Sequence, residues 1–185
     1  MIKTKKDLDY YIKQDSIACK GHDKHLFLKW ISRSDECYIF LFVHALRHYE
    51  YYLNKDKSIW DYLPKLWYYW WYRYLKLKSS LFVFPNTISY GFYPVHQGFI
   101  RIAKFAHIGK NCTVLPMVLM GKKSPEIENP DIYIGDNCYI STGVTILGPI
   151  KIGNNVTIGA GSVVVNDIPD NTVVVGVPGR IVKYK

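Results

Sequence analysis

An aliphatic side chain recurs at every sixth residue in the C-terminal half of this 185-residue chain. A period of six fits neither the 3.6-residue turn of an α-helix nor the two-residue alternation of a strand, and it indicates a coil with short flat sides. The spacing therefore predicts a parallel β-helix with these side chains in its interior. The alternative is a β-sandwich, whose turns recur at about 8 to 12 residues without a fixed phase. The recurring residues are Ile102, Ile108, Val114 and Met120, then Ile134, Ile140, Ile146, Ile152, Ile158 and Val164.

The unit Ile-Gly-x-Asn accompanies this period and begins at Ile108, Ile134 and Ile152. The aliphatic residue is expected to fill the coil interior, and Gly and Asn tolerate the left-handed backbone of a tight corner. Near residue 96 the period shifts by two, because Ile88, Pro94 and Ile100 form a different phase. We expect a pocket at the edge of the coil there.

The run 134–164, closed by 176–180 (GVPGR), resembles the hexapeptide-repeat acyltransferases. This resemblance covers about residues 82–185 and implies a left-handed β-helix, whose hand periodicity alone cannot give. Segments 63–74, 85–87, 95–98 and 108–112 are similar to serine acetyltransferase-like enzymes associated with bacterial surface-polysaccharide synthesis. Those enzymes carry a helical N-terminal region before the coil.

The fold class expected is mainly β, with an N-terminal helical region at 1–80 and a left-handed β-helix acyltransferase domain at 81–185. Two sets of apolar residues in the first part have helical spacing. Pro64 is expected in the first turn of the last helix or at a break before it. The two sets are Leu41, Ala45, Leu46, Tyr49 and Leu53, then Ile59, Leu63, Leu66 and Trp70.

The segment 60–78 is rich in Trp, Tyr, Lys and Arg, which suits a membrane surface. A helix packed in the core or against another subunit is the alternative that we favour. No apolar run reaches the roughly 18 residues of a spanning helix, because Lys65, Arg73 and Lys76 interrupt this one. The N-terminus does not lead into a signal-peptide core. We therefore expect a cytoplasmic protein, with membrane-surface association as an open alternative.

The formal net charge is +9, which raises nucleic acid as a partner. The basic residues are scattered without a nucleic-acid-binding motif, so we expect them to meet the phosphates of coenzyme A or an anionic sugar nucleotide. The four cysteines, Cys19, Cys37, Cys112 and Cys138, lack a Cys-x-x-Cys spacing, and we expect neither a zinc site nor disulfides. Cys112 and Cys138 are interpreted as packing residues, and a Cys nucleophile is the alternative.

His96 is the leading catalytic candidate. Acetyl transfer from a thioester to a hydroxyl needs a base for the hydroxyl proton, and imidazole suits this near neutral pH. The resemblance supports the same residue, because the polysaccharide-associated enzymes have their base histidine at this place. The alternative is a histidine that merely fills the first coil.

The other histidines are interpreted as structural. His107 should point outward beside Ile108, at the surface or an interface. His44 and His48 have i, i+4 spacing, which could bind metal, but helix packing is favoured because no further ligand motif accompanies them. His22 and His25 also fall in the helical region.

The chain departs from the serine acetyltransferases in its acceptor residues. Those enzymes carry an Asp directly before the base, another Asp further upstream and a second His across the pocket. Here Val95 precedes His96, Leu81 stands at the earlier position, and the place of the second His falls close to Asp131. This weakens free serine as the acceptor and favours another hydroxyl, such as one on a sugar. Asp131, or the Glu126 and Glu128 loop of a neighbouring subunit, could orient His96.

The resemblance also implies an acetyl-CoA groove between coils of adjacent subunits, lined by backbone at small residues. The donor-binding candidates are Ser141, Thr142, Gly143, Ala160, Gly161, Ser162, Arg180 and Lys183. Small side chains allow close backbone approach, although these glycines could also serve only to turn corners. The loop 121–131 interrupts the period, and we interpret it as an active-site flap whose Lys122, Lys123 and Asp131 contact the acceptor. A passive surface loop is the alternative.

Taken with the resemblance, these features favour a homotrimer, or a dimer of trimers, that transfers acetyl from acetyl-CoA to a hydroxyl without a metal. An N-acetyltransferase acting on an amino-sugar nucleotide needs the same groups. A γ-type carbonic anhydrase needs three zinc histidines, and the coil half has only His96 and His107. A non-catalytic β-helical scaffold remains the alternative from another class.

Overall fold

The computed structural model describes residues 1–19, 35–56 and 58–185. Three helices precede the strands: α1 (Lys5–Ala18), α2 (Asp35–Asn54) and α3 (Tyr62–Ser79), with a short 3-10 turn at Ile59–Asp61. The start of α1 is capped by Thr4, whose hydroxyl accepts from the Asp7 amide at 3.1 Å. The Asp7 carboxylate accepts in return from the Thr4 amide at 2.8 Å, which satisfies two amides that have no partner inside the helix. His22 and His25 lie outside the described residues.

Fourteen short strands follow in the described chain. They are β1 (Leu81–Val83), β2 (Tyr93–Pro94), β3 (Ile100–Ile102), β4 (Ala106–Ile108), β5 (Thr113–Val114), β6 (Val118–Lys122), β7 (Ile132–Ile134), β8 (Tyr139–Ile140), β9 (Thr145–Gly148), β10 (Ile150–Ile152), β11 (Thr157–Ile158), β12 (Val163–Val164), β13 (Thr172–Val175) and β14 (Arg180–Tyr184).

The strands form three sheets, which we name A (β1-β3-β6-β9-β12), B (β4-β7-β10) and C (β2-β5-β8-β11-β13-β14). Pairing is parallel throughout, except between β13 and the final strand β14. From β3 to β12 the chain passes through sheets A, B and C in a fixed order, so each circuit is one coil. This is the parallel β-helix predicted from the six-residue period.

The coil interior holds the predicted aliphatic residues, all of which are buried, with exposures between 0% at Ile102 and 5% at Ile108. Parallel partners such as Ile140 and Ile158 are 18 residues apart in sequence, which is three six-residue sides. Their stacking removes apolar surface from water along the whole length of the coil.

Corner residues of the repeat have two different roles. Asn111, Asn137 and Asn155 adopt φ between 53° and 58°, the left-handed conformation expected of them. The glycines of the repeat do not share it. A Cβ added to Gly135 would lie 2.7 Å from the carbonyl carbon of Gly153 in the next coil, so this glycine provides space for close stacking.

Helix α2 packs on α3, and its buried face continues into the coil. Phe42, Leu46 and Tyr72 belong to the same buried cluster as Leu81 and Ile100. Helix α3 ends at Ser79 and β1 begins at Leu81, although the division into domains at residue 80 stays a prediction.

The second set of helically spaced apolar residues does not form the buried face of helix α3. Pro64 lies in the first turn of α3, as predicted. Ile59, Leu63, Leu66 and Trp70 are all exposed. The buried side of α3 is formed instead by Tyr72, Leu75 and Ser79. The helix therefore packs in the core, as we favoured for segment 60–78, but through other residues than the four with helical spacing. The spacing does not reveal which of two apolar stripes meets the core.

Candidate active site

Four chain segments that pass from sheet C to sheet A stack above one another at one corner of the coil, and the turn from β13 to β14 stacks at the end of this column. We name this corner the C–A edge. It consists of residues 95–99, 115–117, 141–144, 159–162 and 176–179. Backbone hydrogen bonds link the segments: the Gly143 amide donates to the Pro116 carbonyl at 3.2 Å, and the Gly161 amide donates to the Thr142 carbonyl at 2.9 Å. The edge is therefore a continuous column that spans the length of the coil.

His96 lies in the first segment of this column and is exposed. Five residues, 95–99, separate the strand residues Pro94 and Ile100, whereas three separate Val114 and Val118 in the next coil. The two extra residues account for the shift in period at His96. Within the described residues, the His96 side chain has no hydrogen-bond or ion-pair partner.

The donor-binding candidates from Ser141 to Ser162 all lie on the C–A edge. Thr142, Ala160 and Gly161 are exposed, and Ser141 and Gly143 are half-buried. A Cβ added to Gly161 would meet nothing within 4 Å, so open space lies beside the column there.

Ser162 differs, because its side chain is buried. Its hydroxyl donates to the Gly159 carbonyl at 2.7 Å and accepts from the Gly176 amide at 3.1 Å. The Ser162 side chain therefore fixes the corner and does not face a ligand.

The two basic donor-binding candidates are separated along β14. Arg180 pairs with Val175, at the end of β13 that meets the C–A edge, whereas Lys183 pairs with Val173 two residues further back. Both are exposed. Arg180 follows Gly179 directly and so lies at the last level of the column, while Lys183 lies away from it.

The proposed flap lies at another edge, where the chain passes from sheet A to sheet B. The Lys122 ammonium donates to the Ile127 carbonyl at 2.8 Å, and the Lys123 ammonium donates to the Pro149 carbonyl at 3.3 Å. Asp131 is half-buried directly before β7. These three residues are not brought to His96 within one chain, so a role beside His96 requires a second subunit.

Cys112 and Cys138 are buried, as expected of packing residues. The Cys138 thiol and burial raise the pKa of Cys112 above its usual range, which disfavours the thiolate that a nucleophile needs. The Cys112 thiol donates to the Gly135 carbonyl at 3.3 Å, between successive coils.

His107 points outward on sheet B and stacks on Tyr133 with ring centroids 4.8 Å apart. The His44 and His48 rings are in contact and tilted, with centroids 4.2 Å apart, and His48 stacks on Tyr68. In the described parts of the chain, no group of three or more side chains is arranged to hold a metal ion.

Two exposed residues at the His96 corner carry no sequence signal: Phe99, in the same segment as His96, and Met117, in the next segment of the column. The Met117 amide donates to the Phe99 carbonyl at 2.6 Å, and Met117 adopts φ 67°. Non-glycine residues rarely take this conformation, and such strain concentrates at functional sites. The Phe99 ring is tilted against the Phe82 ring, with centroids 6.0 Å apart. The period predicts interior positions, but gives no information about these outward ones.

The C–A edge carries no carboxylate. His96 is the only titratable side chain in its five segments. The positions at which serine acetyltransferases carry Asp hold Val95, which is half-buried, and Leu81, which is fully buried. The five segments of the C–A edge therefore supply no acidic group of their own to orient the imidazole or to bind an ammonium group.

Comparisons of sequence agree with this geometry. Residues 131–166 match the family of bacterial transferase hexapeptide proteins (six repeats). The serine acetyltransferase of Bacillus pumilus is 41% identical over 96 residues, which is 52% of this chain and 44% of that protein. The chain therefore spans less than half the length of this curated relative.

Solved structures extend the similarity to the helices. The structure of the Neisseria gonorrhoeae serine acetyltransferase in complex with serine superposes on this chain with a TM-score of 0.69 and 26% identity. The match covers 97% of this chain and 70% of the Neisseria chain. A serine acetyltransferase in complex with CoA shares the fold over 96% of this chain and 71% of its own, with a TM-score of 0.69 and 21% identity. The predicted class, mainly β with a left-handed parallel β-helix after a helical region, is confirmed. In sequence over part of its coil, and in fold over nearly all its length, the chain is similar to the hexapeptide-repeat acyltransferases, and among them to the serine acetyltransferases.

Proposed function

We propose that this chain transfers an acetyl group from acetyl-CoA to a hydroxyl acceptor, with His96 as general base. One observation carries the proposal: the only titratable side chain of the C–A edge stands in the same column as a series of small, exposed corner residues. Its similarity to serine acetyltransferases supports the same reaction class.

The column suits the length of the donor. Neighbouring coils are about 4.8 Å apart, and Ala160 lies three coils from His96. The separation along the column is therefore roughly 14 Å, a span that an extended pantetheine arm covers. With the thioester at His96, the phosphate end of coenzyme A would lie toward Arg180 at the last level.

The chemistry needs no covalent enzyme intermediate. His96 takes the proton from the acceptor hydroxyl while its oxygen attacks the thioester carbonyl carbon, and the carbon–sulfur bond then breaks. The proton passes from the imidazole to the departing sulfur, which leaves as the free thiol of coenzyme A. Orientation of the two bound substrates accounts for most of the acceleration, with general base catalysis added to it.

For the acceptor, free serine is the candidate that the relatives' names supply. A neutral saccharide hydroxyl fits this chain better, because Val95 and Leu81 replace the acidic residues and the edge offers no carboxylate for serine's ammonium group. Phe99 and Met117 provide apolar surface beside His96, on which the face of a sugar ring can pack. A sugar of a surface polysaccharide is therefore our preferred acceptor.

The active unit is proposed to be a homotrimer, or a dimer of trimers, in which a neighbouring chain brings its 121–131 loop to the C–A edge. Lys122, Lys123 and Asp131 reach no acceptor near His96 in one chain, and a neighbour would supply them. The cysteines described in this chain are free thiols, which suits the reducing cytoplasm.

An acceptor screen with release of the coenzyme A thiol as the readout tests this proposal. Serine, neutral sugars, nucleotide sugars and amino sugars are each incubated with acetyl-CoA, and products are identified by mass spectrometry. We expect turnover with a sugar hydroxyl above that with serine. Acetylation of an amine would identify an N-acetyltransferase, and absence of coenzyme A binding would identify a scaffold.

A further inference from the structure

The apolar stripe of helix α3 lies on the outer surface of the chain. Its members within α3 are Leu63, Trp67, Trp70, Tyr74 and Leu77. Trp60, in the 3-10 turn before the helix, continues the stripe, and we call these six residues the α3 face. Trp60, Trp67 and Trp70 are 87%, 68% and 60% exposed. Exposed apolar patches of this kind mark docking sites in soluble domains, and nothing in the described chain covers this one.

The charges along helix α3 itself have one sign, and Asp61, which precedes the helix, is ion-paired with Lys55. Helix α3 carries Lys65, Arg73, Lys76 and Lys78, and it contains no Asp or Glu. Arg73 and Lys78 are exposed, and the Arg73 guanidinium lies 5.7 Å from the Trp70 ring centroid. The spacing of the stripe, alternately three and four residues, would also suit pairing with a second copy of α3. That pairing would oppose like charges with no carboxylate on either helix to offset them.

We propose that the α3 face docks the protein on an anionic lipid surface. Trp and Tyr rings favour the boundary between headgroups and acyl chains, and basic side chains near that boundary are attracted to anionic headgroups. The helix would lie in the plane of the surface with its apolar stripe inserted. In the described parts of the chain, no helix combines the length and apolar content needed to cross a bilayer.

Docking would also fix the position of the C–A edge. The Ser79 carbonyl, at the end of α3, accepts from the Gly98 amide at 3.2 Å, and Gly98 lies two residues after His96. The docked helix would therefore hold the His96 corner beside the lipid surface. The docking itself does not depend on acetyl transfer.

The test is vesicle cosedimentation of the full chain at about 100 mM salt, near which charges are screened beyond about 10 Å. We expect at least tenfold tighter binding to vesicles of equal phosphatidylglycerol and phosphatidylcholine than to pure phosphatidylcholine, and weakening in high salt. Four of the five tryptophans lie at positions 60–71. Their emission should shift to the blue on binding and should be quenched by lipids that carry a quencher near the headgroup.

Two pairs of variants locate the surface. Trp67→Ala/Trp70→Ala should weaken binding at least tenfold, whereas Tyr184→Ala, an exposed aromatic on β14, should change it less than twofold. Arg73→Gln/Lys78→Gln should remove most of the preference for anionic vesicles, whereas Lys5→Gln/Lys6→Gln, an equal loss of charge on α1, should not. Circular dichroism verifies that each variant is folded.

Two results would overturn the proposal. Equal loss of binding in the α3 variants and their matched controls would mean that the α3 face is not the docking surface. The second result is absence of vesicle binding by the wild-type chain together with a smaller particle for Trp67→Ala/Trp70→Ala in light scattering. This result would mean that a second copy covers the α3 face.

Discussion

At the scale of single residues, the proton transfer that we propose on the C–A edge depends on one imidazole. His96 projects from a corner that is two residues longer than the one beneath it, and it has no charged neighbour on that edge. Removing it would leave the acceptor hydroxyl without a base while leaving the donor column intact.

We therefore expect His96→Ala to lower kcat by roughly 10²- to 10⁴-fold with little change in coenzyme A affinity. His107→Ala is the matched control, because His107 is also exposed but lies on sheet B, stacked on Tyr133. Steady-state kinetics with an identified acceptor and calorimetry with coenzyme A measure the two quantities. Near wild-type turnover of His96→Ala would exclude it as the base.

Ala160 tests the donor path at the same scale. A Tyr at this exposed corner should obstruct the pantetheine arm, because close approach there depends on small side chains. We expect Ala160→Tyr to weaken coenzyme A binding at least tenfold, or about 1.4 kcal/mol, with a melting temperature close to wild type.

Lys151→Tyr, an equally exposed change on sheet B, is the control for Ala160→Tyr and should bind coenzyme A normally. Unchanged affinity of folded Ala160→Tyr would mean that the donor binds elsewhere.

At the scale of secondary-structure elements, one buried arginine joins the helices to the first coil. Arg47 of α2 is fully buried and contacts Asp15 of α1 at 2.8 Å and Glu50 at 2.9 Å. Its guanidinium also donates to the carbonyls of Ile88 at 2.9 Å and Ser89 at 2.6 Å. The network satisfies all three charges and holds the chain segment that leads to His96.

Loss of this arginine should be costly. Arg47→Met would leave the Asp15 and Glu50 carboxylates buried without their partner, and we expect the free energy of unfolding to fall by about 3–5 kcal/mol. Lys55→Met, which removes a more exposed ion pair with Asp61, should cost no more than about 1 kcal/mol. Urea denaturation compares the two. Equal losses would contradict a special role for the Arg47 network.

His44 should make the helical region sensitive to acid. Burial, aided by the charge of His48, lowers the pKa of His44 from its usual 6.5 to about 4. Between these two values the unfolded chain binds a proton that the folded chain does not, so the free energy of unfolding falls as the pH is lowered from about 6.5 to about 4.

The expected fall is up to about 3 kcal/mol, and His44→Phe should reduce it. Thermal melting of both proteins across this pH range is the measurement. The same acid dependence in the wild type and in His44→Phe would exclude His44 as its source.

The sequence was informative where one geometric rule governs many residues. The six-residue period predicted the buried side of every coil, and the shift in period located the enlarged corner at His96. It did not predict the role of the repeat glycines, because close stacking of coils and a left-handed φ both favour Gly. Nor did it reveal the Arg47 network, whose members lie up to 42 residues from Arg47 in sequence and meet only through packing.

At the scale of the whole molecule, the three sheets present different outer surfaces. Sheet B exposes His107, Tyr133 and Lys151, and part of sheet C lies against α1. Sheet A carries a largely apolar outer row: Phe82, Leu119, Thr145, Leu147 and Val163 flank a single charge at Arg101. A face of this composition beside the C–A edge is where we expect a neighbouring subunit to pack.

This assembly gives the last prediction. The wild-type chain should have the mass of a trimer, or of a dimer of trimers, in light scattering. Leu119→Glu would place a carboxylate in the middle of the sheet A row, where burial without a partner is unfavourable. We expect smaller particles and loss of turnover together, because the loop 121–131 of the neighbour would leave the C–A edge.

Tyr133→Glu, on the outer side of sheet B, is the control and should preserve the wild-type mass and turnover. A folded Leu119→Glu protein that keeps wild-type mass and activity would mean that sheet A faces solvent, and an active monomer would mean that one chain contains the complete site.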